Sequence, residues 1–204
     1  AHVFDALGTE VTIISRSHLL RQLDPDLAEP FNNLAAERYT VHMGRTVTSA
    51  TEDSEGITLT LDDGTTVSSE SLLIATGRIP NSDILDVAAA GIETHEGGRV
   101  AVDKFGRTSV DGVWSLGDLS SPYQLKHVAN AEQRAVTHNV LKAWAGDDDS
   151  ALVPMPHDHV PSAIFTHPQI ATVGMTEQEA VKAGFDVTVK VQNYGDVAYG
   201  WGLE

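Results

Sequence analysis

The stretch GTEVTIISR, residues 8–16, decides the fold class of this chain. Residues 1–7 before it have the pattern of an amphipathic helix, and Gly8 ends that helix. The β-branched, apolar residues from Thr9 to Ser15 then predict a buried strand. A helix, a glycine and an apolar strand in this order are the second half of a βαβ unit. We therefore expect an α/β fold containing part of a doubly wound, Rossmann-like nucleotide-binding domain.

The residues that follow predict more of this domain and then an antiparallel meander. Residues 25–38 are helical in pattern, with Asp24 as a candidate N-cap, and Val41–Met43 is a short strand. Apolar and polar residues then alternate in three segments, which predicts three strands: residues 46–52, 57–61 and 65–68. Asp62–Gly64 between the last two segments is a hairpin turn signal.

Two continuous apolar runs, Leu72–Ala75 and Val113–Leu116, predict central buried strands. Residues 127–145 predict the longest helix, and the polar stretch 146–150 after it has the composition of a linker. Beyond this linker the pattern is typical of an α+β segment. It predicts strands at residues 162–166, 170–174 and 185–192, with a capping box at Thr176–Glu179 that opens a helix ending at Gly184.

Composition and charge exclude several classes of protein. The net charge of −16, from 29 acidic and 13 basic residues, disfavours nucleic-acid binding, which needs basic surfaces. No apolar run approaches the roughly 18 residues of a membrane span. The chain has no cysteine, which excludes disulfides, thiolate metal sites and a redox centre within these residues. With no signal peptide at its start, a cytoplasmic protein is expected.

Loops after predicted strands are candidate nucleotide sites. In a dinucleotide-binding fold an acid at the end of the second strand selects NAD, whereas arginine accommodates the 2′-phosphate of NADP. Here that strand ends in Ser15 and Arg16, with Arg21 following, and guanidinium groups suit a phosphate. From spacing alone, two solvated surface arginines are the favoured interpretation.

Two further loops follow the apolar runs. Gly77, before Arg78, allows close approach of a ligand to the backbone, or is a plain exit from a strand. Asp118, after Gly117, can accept hydrogen bonds from a polyol, or is a turn acid. The helix that opens near His127 offers amides with partial positive charge.

The histidines raise the question of a metal site. His157 and His159 flank Asp158, and His167 lies nearby in the sequence. This spacing matches no closed zinc pattern, so solvated or packing histidines are favoured and no metal is expected.

Three motifs in this order carry a family resemblance: ATGRIPN at residues 75–81, VWSLGD at 113–118 and VPSAIFTHPQIATVGMTE at 160–177. Together they resemble the pyridine nucleotide–disulfide oxidoreductases, the family of glutathione reductase and dihydrolipoamide dehydrogenase. The resemblance covers nearly the whole chain. Two further stretches, residues 120–130 and 192–201, are similar to one branch of the family that reduces a small-molecule disulfide.

The resemblance implies a mechanism and a set of cofactor-binding residues. NADPH would reduce FAD, the flavin would reduce an active-site disulfide, and the resulting thiols would reduce the substrate. The residues implied are Gly117 and Asp118 (second FAD motif, with Asp118 on the ribityl chain), Lys126, His127, Val128 and Ala129 (helix start beneath the flavin), and Gly77 and Arg78 (loop beside the nicotinamide cofactor).

The NADPH preference is implied by Arg21, which matches one of two arginines that hold the 2′-phosphate. Ser15 stands at the position of the second, and Arg16 follows one place later. The implied organisation is an NADPH domain over residues 1–79, a central segment returning to the FAD domain over 80–153, and an interface domain of a homodimer over 154–204.

The family's redox cysteine pair and catalytic His–Glu pair have no match in this chain, so no catalytic residue is assigned. We expect an internal piece of a longer enzyme, because residues 1–7 look like the tail of a helix without its head. The piece is expected to be inactive by itself, because it has no thiol to relay electrons. The alternatives are another member of the family or a non-catalytic nucleotide-binding module.

Overall fold

The computed structural model describes residues 1–202, which divide into two compact units. The first unit holds residues 1–74, 163–171 and those from Met175 onward, and the second holds residues 75–162 and 172–174. The predicted boundaries at residues 79 and 153 are functional ones and stay a prediction.

The first unit contains a βαβ element, formed by the predicted strand after Gly8 and the two elements that follow it. Helix α1 (His2–Ala6) precedes strand β1 (Thr12–Ser15), and helix α2 (Pro25–Arg38) connects β1 to strand β2 (Thr40–Met43). The two strands pair in parallel, with Ile13 opposite Val41. A parallel pair joined by a helix confirms the α/β prediction for this segment. Strand β1 is shorter than predicted and only half-buried.

The predicted meander is confirmed. Strands β3 (Val47–Asp53), β4 (Gly56–Leu61) and β5 (Thr66–Ser69) form an antiparallel sheet in the order β3-β4-β5. Leu59 and Leu61, two residues apart on β4, are buried because alternate side chains lie on the same face of a strand.

The core of the second unit lies along helix α3 (Lys126–Ala145), which begins one residue before the predicted start and has Gly146 as its C-cap. Ala135 and Val136 on this helix are buried together with Met155. Trp114, Leu116 and Val140 pack against them at the edge of this core. The apolar segment 113–116 therefore contributes packing rather than a strand.

Three predicted strands are not formed: Leu72–Ala75, Val113–Leu116 and residues 185–192. Leu73 and Ile74 are 67% and 73% exposed, and Trp114 makes a single isolated bridge to Arg107. An apolar run indicates that its residues favour β structure, but a strand forms only where another segment hydrogen-bonds to it. No segment among residues 1–202 pairs with these runs in that way.

The C-terminal part contains short elements. Strands β6 (Ser162–Ile164) and β7 (Ile170–Thr172) form a two-stranded sheet, both shorter than predicted. Helix α4 (Glu177–Lys182) opens with the predicted capping box, since Thr176 and Glu179 each accept the other's backbone amide. Helix α5 is Ala198–Trp201, and the 3₁₀ helices are Val87–Ala90, Gly117–Leu119, Asp149–Ala151 and Tyr194–Asp196. Among residues 1–202, none of the helices combines the length and apolarity needed to cross a bilayer.

Candidate cofactor site

The turn at Gly117 and Asp118 is held in place by hydrogen bonds on both sides of the Gly117 residue. Gly117 is buried, and its carbonyl accepts hydrogen bonds from the amides of Ser120 (3.0 Å) and Ser121 (2.6 Å). Asp118, the next residue in this 3₁₀ helix, is exposed. The turn therefore presents one carboxylate to solvent from a fixed backbone.

The first turn of α3 lies against this 3₁₀ helix, since a Cβ added at Gly117 would be 3.5 Å from the Cβ of Ala129. Val128 is buried, whereas Lys126 and His127 are exposed. The His127 ring hydrogen-bonds to the Pro161 carbonyl at 2.8 Å. Within residues 1–202 no side chain caps the N-terminus of this 20-residue helix, and its first hydrogen bond runs from the Ala129 amide to the carbonyl of the N-cap residue Leu125. The amides of Lys126, His127 and Val128 are therefore available to a ligand.

The loop of Gly77 and Arg78 belongs to the same unit as the turn. Both residues are exposed, and the Arg78 guanidinium donates a long hydrogen bond of 3.4 Å to the Gln124 carbonyl. Gln124 lies two residues before α3. Arg78 is thus close to the loop between Asp118 and Lys126.

The candidate 2′-phosphate residues lie in the first unit. Ser15 ends strand β1 and is half-buried, while Arg16 and Arg21 are exposed in the loop that follows. Asn32 on α2 holds this loop in place. Its side chain accepts a hydrogen bond from the Leu19 amide and donates one to the Leu19 carbonyl, both at 2.9 Å. Sequence reasoning missed Asn32, because its partner is 13 residues away.

A second missed residue is Glu132, whose side chain is completely buried in α3. One oxygen accepts a hydrogen bond from the Gly117 amide at 2.6 Å, and the other is 2.6 Å from Nε2 of His157. The sequence does contain a signal for it. Val128, Ala135 and Val136 recur at helical spacing on the buried face of α3, and the polar residues Glu132 and Asn139 fall on the same face. Polar residues at apolar positions of a helix are the signal.

Two buried hydroxyls border the turn. The Oγ atoms of Ser115 and Ser120 are inaccessible to solvent and have no hydrogen-bond partner among residues 1–202. An exposed carboxylate, free helix amides and unsatisfied hydroxyls suit a ligand that combines a polyol with an electron-rich group. FAD has both, so the residues present fit it. Within the described part of the chain, no three His, Cys, Asp or Glu side chains are grouped as a metal site.

The chain belongs to the pyridine nucleotide-disulphide oxidoreductase family, whose model matches residues 1–135. The dimerisation domain of the same family matches residues 160–202. Within the family, mycothione reductase of Mycobacterium tuberculosis is 49% identical over 205 residues, a match that covers 100% of this chain and 44% of that protein. The similarity to one branch, expected from residues 120–130 and 192–201, is confirmed as homology to mycothione reductase.

Other members of the family are more distant. Dihydrolipoyl dehydrogenase of Halobacterium salinarum is 35% identical over 193 residues, covering 92% of this chain and 39% of that protein. The crystal structure of LpdA from Mycobacterium tuberculosis matches 90% of this chain and 39% of its own length, with a TM-score of 0.74 and 29% identity. The chain thus spans less than half the length of the relatives it matches.

Proposed function

We propose that the protein carrying this chain is an FAD-containing, NADPH-dependent reductase of mycothione, the disulfide of mycothiol. The observation that carries this proposal is the Gly117–Asp118 turn, fixed by hydrogen bonds to the Gly117 backbone, beside the uncapped N-terminus of α3. It occurs in a chain that is 49% identical along its whole length to mycothione reductase. The reaction is NADPH plus H⁺ plus one mycothione, giving NADP⁺ and two mycothiols.

On the flavin side, this chain's residues bind and orient. Asp118 would accept hydrogen bonds from ribityl hydroxyls. The amides of Lys126, His127 and Val128 would offer partial positive charge to the electron-rich flavin, while the Ala129 amide already donates to the Leu125 carbonyl. Bound FAD supplies the two-electron carrier between NADPH and a disulfide. The buried location of Gly117 and Val128 keeps both backbone segments rigid, which lowers the entropy lost when the cofactor binds.

On the nicotinamide side, Arg16 and Arg21 bind the 2′-phosphate of NADPH, and Gly77 and Arg78 form the loop beside the cofactor. The support is the βαβ element, which puts the loop with both arginines at the carboxyl end of β1, where dinucleotides bind in such folds. Ser15 adds a half-buried hydroxyl at the strand end. The chain is strongly acidic, so two exposed arginines in one loop form a local positive charge that suits a phosphate.

The thiols of the reaction must come from outside these 204 residues, because the chain contains no cysteine. Disulfide reduction requires a thiolate relay, so the chain alone should turn over no disulfide. The organisation we propose keeps an NADPH domain over 1–79, a central segment over 80–153 and a dimer interface over 154–204, in a cytoplasmic homodimer. The match of residues 160–202 to the dimerisation domain supports the last part.

The test is turnover by the protein that carries the chain. Purified protein should contain FAD and oxidise NADPH faster with mycothione than with glutathione disulfide or lipoamide. The 204-residue chain, assayed beside it as a control, should oxidise no NADPH with any of the three. Mycothione failing to outperform the other two disulfides would overturn the substrate assignment, and turnover by the isolated chain would overturn the thiol requirement.

A second candidate is a dihydrolipoyl dehydrogenase activity, which the 35% identity to the Halobacterium salinarum enzyme favours. The same assay, run with NADH as well as NADPH, separates the two, since such an enzyme would prefer lipoamide and NADH. A non-catalytic nucleotide-binding module is the third, and it predicts FAD or NADPH binding without turnover of any disulfide.

A further inference from the structure

Helix α3 buries a carboxylate, that of Glu132, to which the function proposed above assigns no role. Glu132 has 0% exposure, and Asn139, two turns later on the same face, also has 0%. A buried carboxylate is costly unless its oxygens are fully hydrogen-bonded. The partners of Glu132 therefore indicate what its burial achieves.

The first partner is the backbone of the turn that presents Asp118. One Glu132 oxygen accepts the Gly117 amide at 2.6 Å, while the Gly117 carbonyl accepts the amides of Ser120 and Ser121. Both polar groups of the Gly117 backbone are thus tied down. Since Asp118 is the next residue, its Cα position is set by this pair of restraints.

The second partner connects the same carboxylate to the loop after the turn. The other Glu132 oxygen is 2.6 Å from Nε2 of His157. The His157 ring meets the Tyr123 ring edge-on at 5.1 Å between centroids, and the Tyr123 hydroxyl donates to the His157 carbonyl at 3.1 Å. The carboxylate therefore restrains both ends of the stretch from Gly117 to Tyr123.

We propose that Glu132 is a positioning residue for the flavin: it holds the Gly117–Asp118 turn at the place where Asp118 meets the ribityl chain. This role rests on the proposed function, because it presumes that Asp118 binds FAD. It goes beyond that function by assigning the affinity for FAD in part to a residue that does not touch the cofactor.

The experiment compares three variants of the protein that carries this chain. Glu132→Ala removes both hydrogen bonds. Glu132→Gln restores them, because its amide oxygen accepts from Gly117 and its NH₂ group donates to an unprotonated ring nitrogen of His157. Asn139→Ala is the matched control: it deletes an equally buried polar side chain of α3, one that binds the backbones of Phe105 and Val153 and not the turn.

Two readouts are measured for each variant. The first is the dissociation constant of FAD, followed by quenching of flavin fluorescence in reconstituted apoprotein. The second is hydrogen exchange of the peptide covering residues 116–121 in apoprotein. We expect Glu132→Ala to weaken FAD binding about tenfold or more and to speed exchange of this peptide, since a buried amide loses its acceptor. Glu132→Gln should stay within about threefold of wild type, as should Asn139→Ala.

The outcomes separate the two proposals. Wild-type apoprotein that takes up no FAD would overturn the proposed function, and the positioning role with it. Wild-type affinity in Glu132→Ala would overturn the positioning role alone. An equal loss of affinity in Asn139→Ala and Glu132→Ala would also overturn it, because general destabilisation of α3 would then account for the result.

Discussion

Replacing Gly106 with alanine tests the packing that supports the cofactor turn. Gly106 has a φ of +91°, and a Cβ added there would lie 2.8 Å from Cγ2 of Val136 and 3.3 Å from Cε of Met155. The Gly106 carbonyl accepts a hydrogen bond of 3.0 Å from the amide of Ser115, which lies two residues before Gly117 in the chain. The missing side chain thus allows the backbone at 106 to lie directly on the core of α3.

The expected cost has two parts. Placing a non-glycine residue in the left-handed region costs about 1 kcal/mol. Overpacking against Val136 and Met155 adds about 1–3 kcal/mol, because a well-packed core accommodates an extra carbon only by shifting. The total destabilisation is then about 2–4 kcal/mol. Gly112→Ala is the matched control: its φ is +75°, but an added Cβ meets nothing within 4 Å, so only the backbone part applies.

The assay is urea unfolding followed by tryptophan fluorescence. Of the three tryptophans in the chain, Trp114 packs against this core, whereas Trp144 and Trp201 are largely exposed. Shortening Val136 to alanine removes the atom that the new Cβ would strike. A double-mutant cycle of Gly106→Ala with Val136→Ala should therefore show a favourable coupling of about 1–2 kcal/mol. A cost for Gly106→Ala no larger than that of Gly112→Ala, or no coupling to Val136, would refute the close approach.

Three further predictions concern other parts of the chain. Asn32→Ala should lower the free energy of unfolding by about 1–3 kcal/mol in urea, because two part-buried backbone groups of Leu19 lose their partner; an unchanged midpoint would contradict this. Burial raises the pKa of Asp103, but hydrogen bonds from Arg107 and Phe105 and the charge of Arg107 outweigh it, so the pKa lies below the ordinary 3.8. The stability that Asp103 contributes is therefore complete above pH 3.8 and is lost as the pH falls further. When the unfolding midpoint is measured at a series of acidic pH values, Asp103→Asn should lose less stability than wild type over that range. Arg21→Ala in the protein that carries this chain should weaken NADPH binding roughly tenfold more than NADH binding, measured by fluorescence titration, because only NADPH has the 2′-phosphate; equal losses for both would remove that role.

Elements with a local signal were predicted well from the sequence. Helices α2 and α3 were found to within one residue, since their apolar spacing, the proline at the start of α2 and the glycine after α3 are read from neighbouring residues. The Asp62–Gly64 turn and the capping box at Thr176 are local in the same way. These features involve interactions between residues close together in the chain.

The strands predicted at Leu72–Ala75 and Val113–Leu116 show where this reasoning stops. Both runs have the composition of a central strand, yet one is largely exposed and the other packs against α3 without a ladder. Side-chain type indicates how well a segment would fit into a sheet. Whether a partner strand lies beside it depends on segments far away in sequence.

The family, the acidic charge, the lack of thiols and the identity of the residues around Asp118 follow from the order of the amino acids alone, because each is a property of residue type and position. The position of Glu132 between Gly117 and His157, and the hydrogen bonds by which Asn32 holds the loop of Arg16 and Arg21, depend on how the chain folds. The reason is physical: a hydrogen bond between groups 13 to 25 residues apart exists only after the chain has folded back on itself.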